Sequence, residues 1–284
     1  MAAVTGRIQG LCMLTGGTTP AGLARVVTGT YKLDSGPHTG DGIGDQTVTM
    51  PGVHTAQLDL EPIGMDKTEL LKFFPSTGAA DLTDLTPMLL LTDTGHLYKL
   101  SYGTPGAASI SASTPDGMNS WLSTKLTCMF GKVEAGTGTP IYLTTHGHRR
   151  RDASVTMDTA AAGITSWEIS NGLGLEPDAN FDARSVGDED ALPDGWLARE
   201  MNPTFACTFK NPLALTDRIA TGAYVPHDFV ISLANGTAAE DVAFTLTDWI
   251  APEDAQELQA QGIRHFKYDW KRGSGTISGR LTAA

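Results

Sequence analysis

Short alternating segments, punctuated by glycine and proline along the whole length of the chain, constrain its fold more than any other feature. In HTAQLDLEPI, residues 54–63, Ala56, Leu58 and Leu60 recur at the period of a half-buried strand. MLLLTD, then Gly95, then HLYKLSY reads as a hairpin. ASISAS, WLSTKLTCMF, IYLTTH, ASVTMD, ITSWEIS, FACTFK, DFVISLANG, VAFTLTDWI and FKYDW continue the pattern to the C-terminus. Many short strands joined by turns exclude a helical bundle and predict a mainly β sandwich or barrel. With 284 residues the chain can bury one large β domain or two smaller ones.

Helix signals are few and short. Asp66 is a good N-cap, Glu69 stands three residues on, and Leu70, Leu71, Phe73 and Phe74 give an apolar face before Pro75. The Asp66/Glu69 pair reads as a variant capping box, so its carboxylates need no catalytic role. Asn211 followed by Pro212, and Pro252 with a stop at Gly262, predict two more short helices. Two stretches have no clear period. Residues 34–52 are glycine-rich, too long for a hairpin turn, and read as an extended loop. Residues 171–203 read as irregular, and residues 176–194 hold seven acids against one arginine, the pattern of a solvated arm that orders on a partner.

The two halves of the sequence echo one another. In each, a strand is followed by a short helix, a proline, a strand, a glycine turn and another strand. Thr55, Leu58 and Leu60 match Thr204, Cys207 and Phe209 in spacing. The halves divide at residues 1–150 and 151–284. They are either a duplication or one continuous domain whose β architecture repeats.

Charge and cysteines narrow the function classes. The formal net charge of −12 opposes a protein that grips phosphates. Cys12, Cys128 and Cys207 are far apart and form neither a disulfide framework nor a zinc site, so free buried thiols and synthesis in a reducing cytoplasm are expected. No signal peptide and no membrane-spanning apolar run are read. The chain carries no nucleophile elbow, phosphate loop or dinucleotide fingerprint. His146 and His148 would share a face of a strand, but Arg149, Arg150 and Arg151 follow at once and no acid or cysteine cluster completes a metal site. Asp41-Gly-Ile43-Gly-Asp45 lacks the ligands of a calcium loop and reads as a turn. No catalytic residue, cofactor or metal is therefore expected. Trp121, Trp167, Trp249 and Trp270 suit a strand core, whereas Trp196 sits beside the acidic stretch and suits an interface anchor.

HTAQLDLEPIGMDKTELLKFF, the long segment 34–52 and the closing run FKYDWKRGSGTISGRL together resemble the tail tube proteins (major tail proteins) of long-tailed phages. The resemblance implies a tail-tube-like β-sandwich or barrel with short flanking helices and long loops. It implies self-assembly into stacked rings that form a channel through which DNA passes without specific binding. Six copies per ring are expected, or three if the chain is duplicated. Other tail proteins would be partners, with assembly in the host cytoplasm and a final place in the virion tail. An acidic channel is compatible with the net charge. Candidate subunit-interface residues are Asp41 and Ile43 in the first long loop, His148, Arg149, Arg150 and Arg151 in the basic cluster, and Asp188, Glu189, Asp190 and Trp196 in the acidic arm. The competing readings are another virion part, such as a tail terminator or capsid decoration, and a carbohydrate-binding or adhesin-like module.

Overall fold

A computed structural model of the chain describes residues 4–35, 38–41, 47–50, 54–74, 83–113, 117–144, 146–161, 163–178, 195–201, 203–210, 226–238, 240–250, 266–272 and 282–283. The helices expected after Asn211 and Pro252 lie outside the described residues.

The first repeat begins with β1 (Val4–Thr15), which turns into β2 (Thr19–Gly22). β3 (Val27–Ser35) leads into the hairpin β4 (His38–Asp41) and β5 (Thr47–Met50), and β6 (His54–Pro62) returns beside β3. Then come α1 (Lys67–Lys72), β7 (Met88–Thr92), β8 (Leu97–Ala112) and β9 (Ser123–Ala135). Neighbouring strands run in the order β7-β1-β3-β6-β9-β8, and β8 also pairs with β7. The six strands close an antiparallel barrel, which leaves no free edge along that circuit.

The second repeat follows the same plan. β10 (Ala153–Met157) turns into β11 (Ala160–Ala161), and β12 (Ile164–Ser170) leads into the ladder β13 (Leu173–Asp178) and β14 (Gly195–Met201). β15 (Thr204–Phe209), β16 (His227–Leu233), β17 (Val242–Ile250), β18 (Phe266–Arg272) and β19 (Thr282–Ala283) complete it. Its strand order, β10-β16-β17-β18-β15-β12, is that of β1-β7-β8-β9-β6-β3. The registers agree as well. Tyr31 stands opposite Leu58 and Leu58 opposite Cys128; at the matching positions Trp167 stands opposite Cys207 and Cys207 opposite Tyr268. Even the unusual backbone recurs. The β7–β8 and β16–β17 turns hold Gly95 at φ 83° and Gly236 at φ 90°. Tyr102 in β8 and Asp248 in β17, at matching positions, have φ 55° and 59°. A side chain in the left-handed region is uncommon, so its presence at matching sites marks a shared backbone path. The weak sequence echo thus accompanies a repeated strand order among the described residues.

Two segments read as irregular contain ladders. Residues 38–41 and 47–50 pair as a hairpin inside the stretch expected to be one extended loop. Residues 173–178 pair with 195–201 inside the stretch expected to be an arm. These excursions occupy equivalent places, between β3 and β6 and between β12 and β15. Conversely, IYLTTH was expected to be a strand, but its described residues have no ladder. They cross back over β1 and β2, where Leu143 N–H donates to Ala24 O and the Tyr142 hydroxyl donates to Gln9 O.

The repeats differ at one edge. In the first, Val4–Arg7 of β1 pairs with β3. In the second, the matching residues 148–151 turn away, with a 3-10 turn over Arg150–Asp152, and no ladder among the described residues joins β10 to β12. The vacated edge of β12 is taken by the first repeat: Ser109–Ala112 of β8 pairs with Trp167–Ser170. One sheet therefore runs unbroken from the first repeat into the second.

The core is continuous across this junction. α1 packs its apolar face into this core. Its own face and C-cap bury Leu70, Phe73 and Phe74, and the Phe74 ring meets Phe244 of β17 edge-on at 5.1 Å. Asp66 caps α1 as expected, accepting from Thr68 and Glu69 N–H at 2.9 and 3.2 Å. Glu69 does not complete a capping box; its buried carboxylate accepts from Lys72 and from Thr86 instead. Inside the first barrel Gly103 leaves room for Phe130. A Cβ there would stand 2.5 Å from the Phe130 ring and 2.9 Å from Leu85. Gly103→Ala is expected to lower stability by about 1–3 kcal/mol in a urea titration, because the wall has no slack.

Candidate functional site

The merged sheet has one face on the core and one on solvent, and period-two alternation sorts its residues between them. On β6, Ala56, Leu58 and Leu60 point inward, while Gln57, Asp59 and Glu61 point outward. The outward row Arg7, Thr30, Asp59, Thr127 crosses four adjacent strands of the first repeat. Lys125, Ser109, Ser170 and Thr204 form another row, which crosses the junction into the second repeat. Ser111, Glu168, Ala206 and Asp269 form a third. The face is made almost wholly of serine, threonine and charged side chains. Over the first repeat it is also concave: an open cleft of about 780 Å³ is lined by Thr28, Thr30, Asp59, Glu61 and Thr127 and equally by apolar residues such as Ile8, Val27, Leu60, Ala107 and Leu126.

The charge of this face is nearly balanced. Of the described side chains on it, Asp59, Glu61, Glu168 and Asp269 face Arg7, Lys32 and Lys125. Half of the sequence's net charge of −12 lies in the run 176–194, with seven acids against one arginine. Thr127 donates to Asp59 at 2.9 Å, and Gln57 donates to the same carboxylate at 3.2 and 3.3 Å. Side chains already bonded to one another offer little to a passing ligand.

The concave sheet is held by a joint between the repeats. Asn171, fully buried at the end of β12, makes four side-chain hydrogen bonds. Its Oδ1 accepts from Ala108 and Leu173 N–H at 2.9 and 3.2 Å, and its Nδ2 donates to Phe73 O and Gly106 O at 2.9 and 2.8 Å. A second clasp ties residues 146 and 147 to the β16–β17 turn. The buried Glu240 carboxylate accepts from His146 N–H at 3.2 Å and from Asn235 Nδ2, which also donates to Gly147 O at 3.0 Å. Burial lowers the pKa of His148 below its usual value, against the opposing pull of Glu240, Asp152 and Asp241.

The basic cluster has contacts within the chain. The Arg149 guanidinium lies 4.6 Å from the centre of the Trp121 ring, with Arg25 at 5.7 Å from the same ring. Arg150 donates to Thr165 O at 2.8 Å, and Arg151 donates to Asn119 at 3.2 Å. His146 and His148 do not share a strand face, because Gly147 between them has φ 64°. Asp41 ends β4 and Trp196 lies in β14, opposite Pro177. Ile43, Asp188, Glu189 and Asp190 lie outside the described residues.

The cysteines are buried and unpaired. Burial raises the pKa of Cys128 and Cys207, and Cys207 Sγ accepts from Trp270 Nε1 at 3.1 Å. Among the described residues, no group of three or more His, Cys, Asp or Glu side chains could hold a metal ion, and no helix is long and apolar enough to cross a membrane. The polar rows and Asn171 escaped the reading of the sequence. Their only signal was Ser and Thr at alternate strand positions, which any solvent-facing sheet also shows. No protein-family model matches the chain, and no curated protein matches it significantly.

Proposed function

We propose that the chain is a structural subunit of a phage tail tube, with two tube-forming repeats in each copy and three copies in each ring. One observation carries this reading: two repeats of like topology share a single sheet through the β8–β12 ladder, and that sheet has a concave, small, polar face. The repeat-to-repeat contact is head-to-tail, so reuse between copies generates a ring if the rotation closes.

The register supports closure at a useful size. Gly29, Leu60, Leu126 and Ala108 stand in one row across β3, β6, β9 and β8. Asn171 lies opposite Ala108, and its match in the first repeat is Ser35, six residues beyond Gly29. An even displacement keeps the same side chains on the inner face. Six repeats of four strands with this stagger close a barrel of about 50 Å backbone diameter. That bore passes a DNA duplex. A balanced serine- and threonine-rich wall lets phosphate slide without gripping it.

Negative-stain microscopy and mass measurement test the proposal. The expected particles are rings or stacked rings with an open centre and masses in multiples of three chains. A monomer that persists at high concentration overturns it.

A further inference from the structure

We propose that the edge of β3 at Thr30–Leu33 is the docking edge for a second copy of the chain, and that Val4–Arg7 covers it until assembly. The inference rests on the ring reading above, and the repeat-to-repeat contact inside the chain is its template. In the second repeat the matching edge, Trp167–Ser170 of β12, is occupied by β8. Ile110 stands opposite Ile169 and Ala112 opposite Trp167. In the first repeat Val4 stands opposite Leu33 and Gly6 opposite Tyr31. Leu33 and Tyr31 are the matches of Ile169 and Trp167. Val4-Thr5-Gly6 thus sits where Ile110-Ser111-Ala112 would sit, in the same antiparallel direction, with an apolar or small residue at the same alternate places.

The imitation is poor in packing. Ile110 is 1% exposed and Ala112 7%, whereas Val4 is 56% exposed. The cover therefore keeps the edge's backbone groups paired while burying little apolar surface. This is how an edge strand is protected from indiscriminate pairing yet left displaceable. Among the described ladders Val4–Gly6 pairs with β3 alone; the remainder of β1, from Ile8, is held by β7 and Asp93 joins Arg7 at the boundary. Release opens only the β1–β3 seam, the seam that no described ladder closes between β10 and β12, and leaves the other ladders of the barrel in place. In a head-to-tail ring the first repeat of one copy must meet the second repeat of another, and β3 carries the edge that matches β12. A second copy fits this edge better than an unrelated peptide because the acceptor register is already used between the two repeats.

Two variants test this beside the unmodified chain. Thr5→Cys with Lys32→Cys places thiols on directly opposite residues, so oxidation locks the cover on. The locked protein is expected to remain unassembled and to form rings after reduction, while the unmodified chain, whose own thiols are buried, assembles under both conditions. Removing residues 1–7 is expected to lower the concentration at which rings form about tenfold. Rings from the oxidised, cross-linked protein overturn the inference and leave the ring reading standing, and so does an unchanged threshold in the shortened chain. If cross-linking fails, the shortened chain decides; if the shortened chain does not fold, the locked one decides. Absence of rings from every form, the unmodified chain included, overturns both.

Discussion

Asn171→Ala is expected to cost about 3–5 kcal/mol of folding stability, a large effect for one polar side chain. The reason is the company Asn171 keeps. It is fully buried, and its amide satisfies Ala108 N–H, Leu173 N–H, Phe73 O and Gly106 O. Alanine leaves these groups without their partner, and each buried unpaired group costs about 1–3 kcal/mol before relaxation. Asn171→Asp separates hydrogen bonding from size. A carboxylate still accepts from Ala108 and Leu173, but its other oxygen then faces two carbonyl oxygens. The ionised form is disfavoured in the folded state, so its folded pKa lies above the unfolded value of about 3.9. The sign follows: the aspartate variant is least impaired below that value and loses stability as the pH rises through the folded pKa. Urea titrations across pH measure this. Equal loss at all pH values, or a loss below about 1 kcal/mol for alanine, would show that the network is not what holds β8, β12 and the end of α1 together. Ser170→Ala is the control. Its half-buried hydroxyl accepts one local bond from Gly172 N–H, and less than about 1 kcal/mol is expected.

What the chain declares in its sequence is local. Alternation located β6 because Ala56, Leu58 and Leu60 face a core that tolerates no polar substitute. The Asp66 cap located α1. The same logic could not find β4, β5, β13 and β14. These strands pair two by two, apart from the main sheet, so their residues need not follow the alternation a buried face imposes. IYLTTH failed in the opposite sense: Ile141 and Tyr142 are strand formers by type, yet they are exposed on a segment that crosses β1. Propensity yields there to the path between repeats. The spacing of Thr55, Leu58 and Leu60 against Thr204, Cys207 and Phe209 did carry the repeat, because equal register requires equal spacing of buried positions. Nothing in either half announced the β8–β12 ladder. Which strand occupies a given edge depends on what left it vacant, and the vacancy arises because residues 148–151 turn where Val4–Arg7 runs straight. The arginine cluster, expected at a subunit interface, also has partners within the chain that no motif announced: Arg149 lies over Trp121, Arg150 donates to Thr165 O and Arg151 to Asn119. Asn171 sits in the sequence Asn-Gly-Leu-Gly, which advertises a turn; only packing reveals it as a buried bracket.

Glu69→Ala is expected to cost a further large amount, about 3–5 kcal/mol, and to weaken assembly with it. Glu69 is 2% exposed, and its carboxylate accepts from Lys72 Nζ at 2.7 Å, from the Thr86 hydroxyl and from Thr86 N–H at 3.3 Å. Lys72 also donates to Thr86 at 3.2 Å. Removing the acid leaves an ammonium group and a backbone donor facing a poorly hydrated space, so the loss exceeds what the ion pair itself contributes. Glu69→Gln keeps one acceptor oxygen but sets its NH2 donor against another donor, Thr86 N–H or the Lys72 ammonium, and about 1–3 kcal/mol is expected. The double change Glu69→Met with Lys72→Met removes both charges; its cost is expected to fall to about 1–3 kcal/mol, the burden of Thr86 alone. A double variant as impaired as Glu69→Ala would show that packing, not the stranded charge, sets the loss. The consequence reaches beyond α1. Phe73 offers its carbonyl to Asn171, and Phe74 packs on Phe244 of the second repeat. A loosened α1 therefore loosens the angle at which the two repeats share their sheet. In the proposed ring the same angle would recur at every contact, so Glu69→Ala protein that still folds at low temperature is expected to give open or irregular particles in place of the closed rings expected of the unmodified chain.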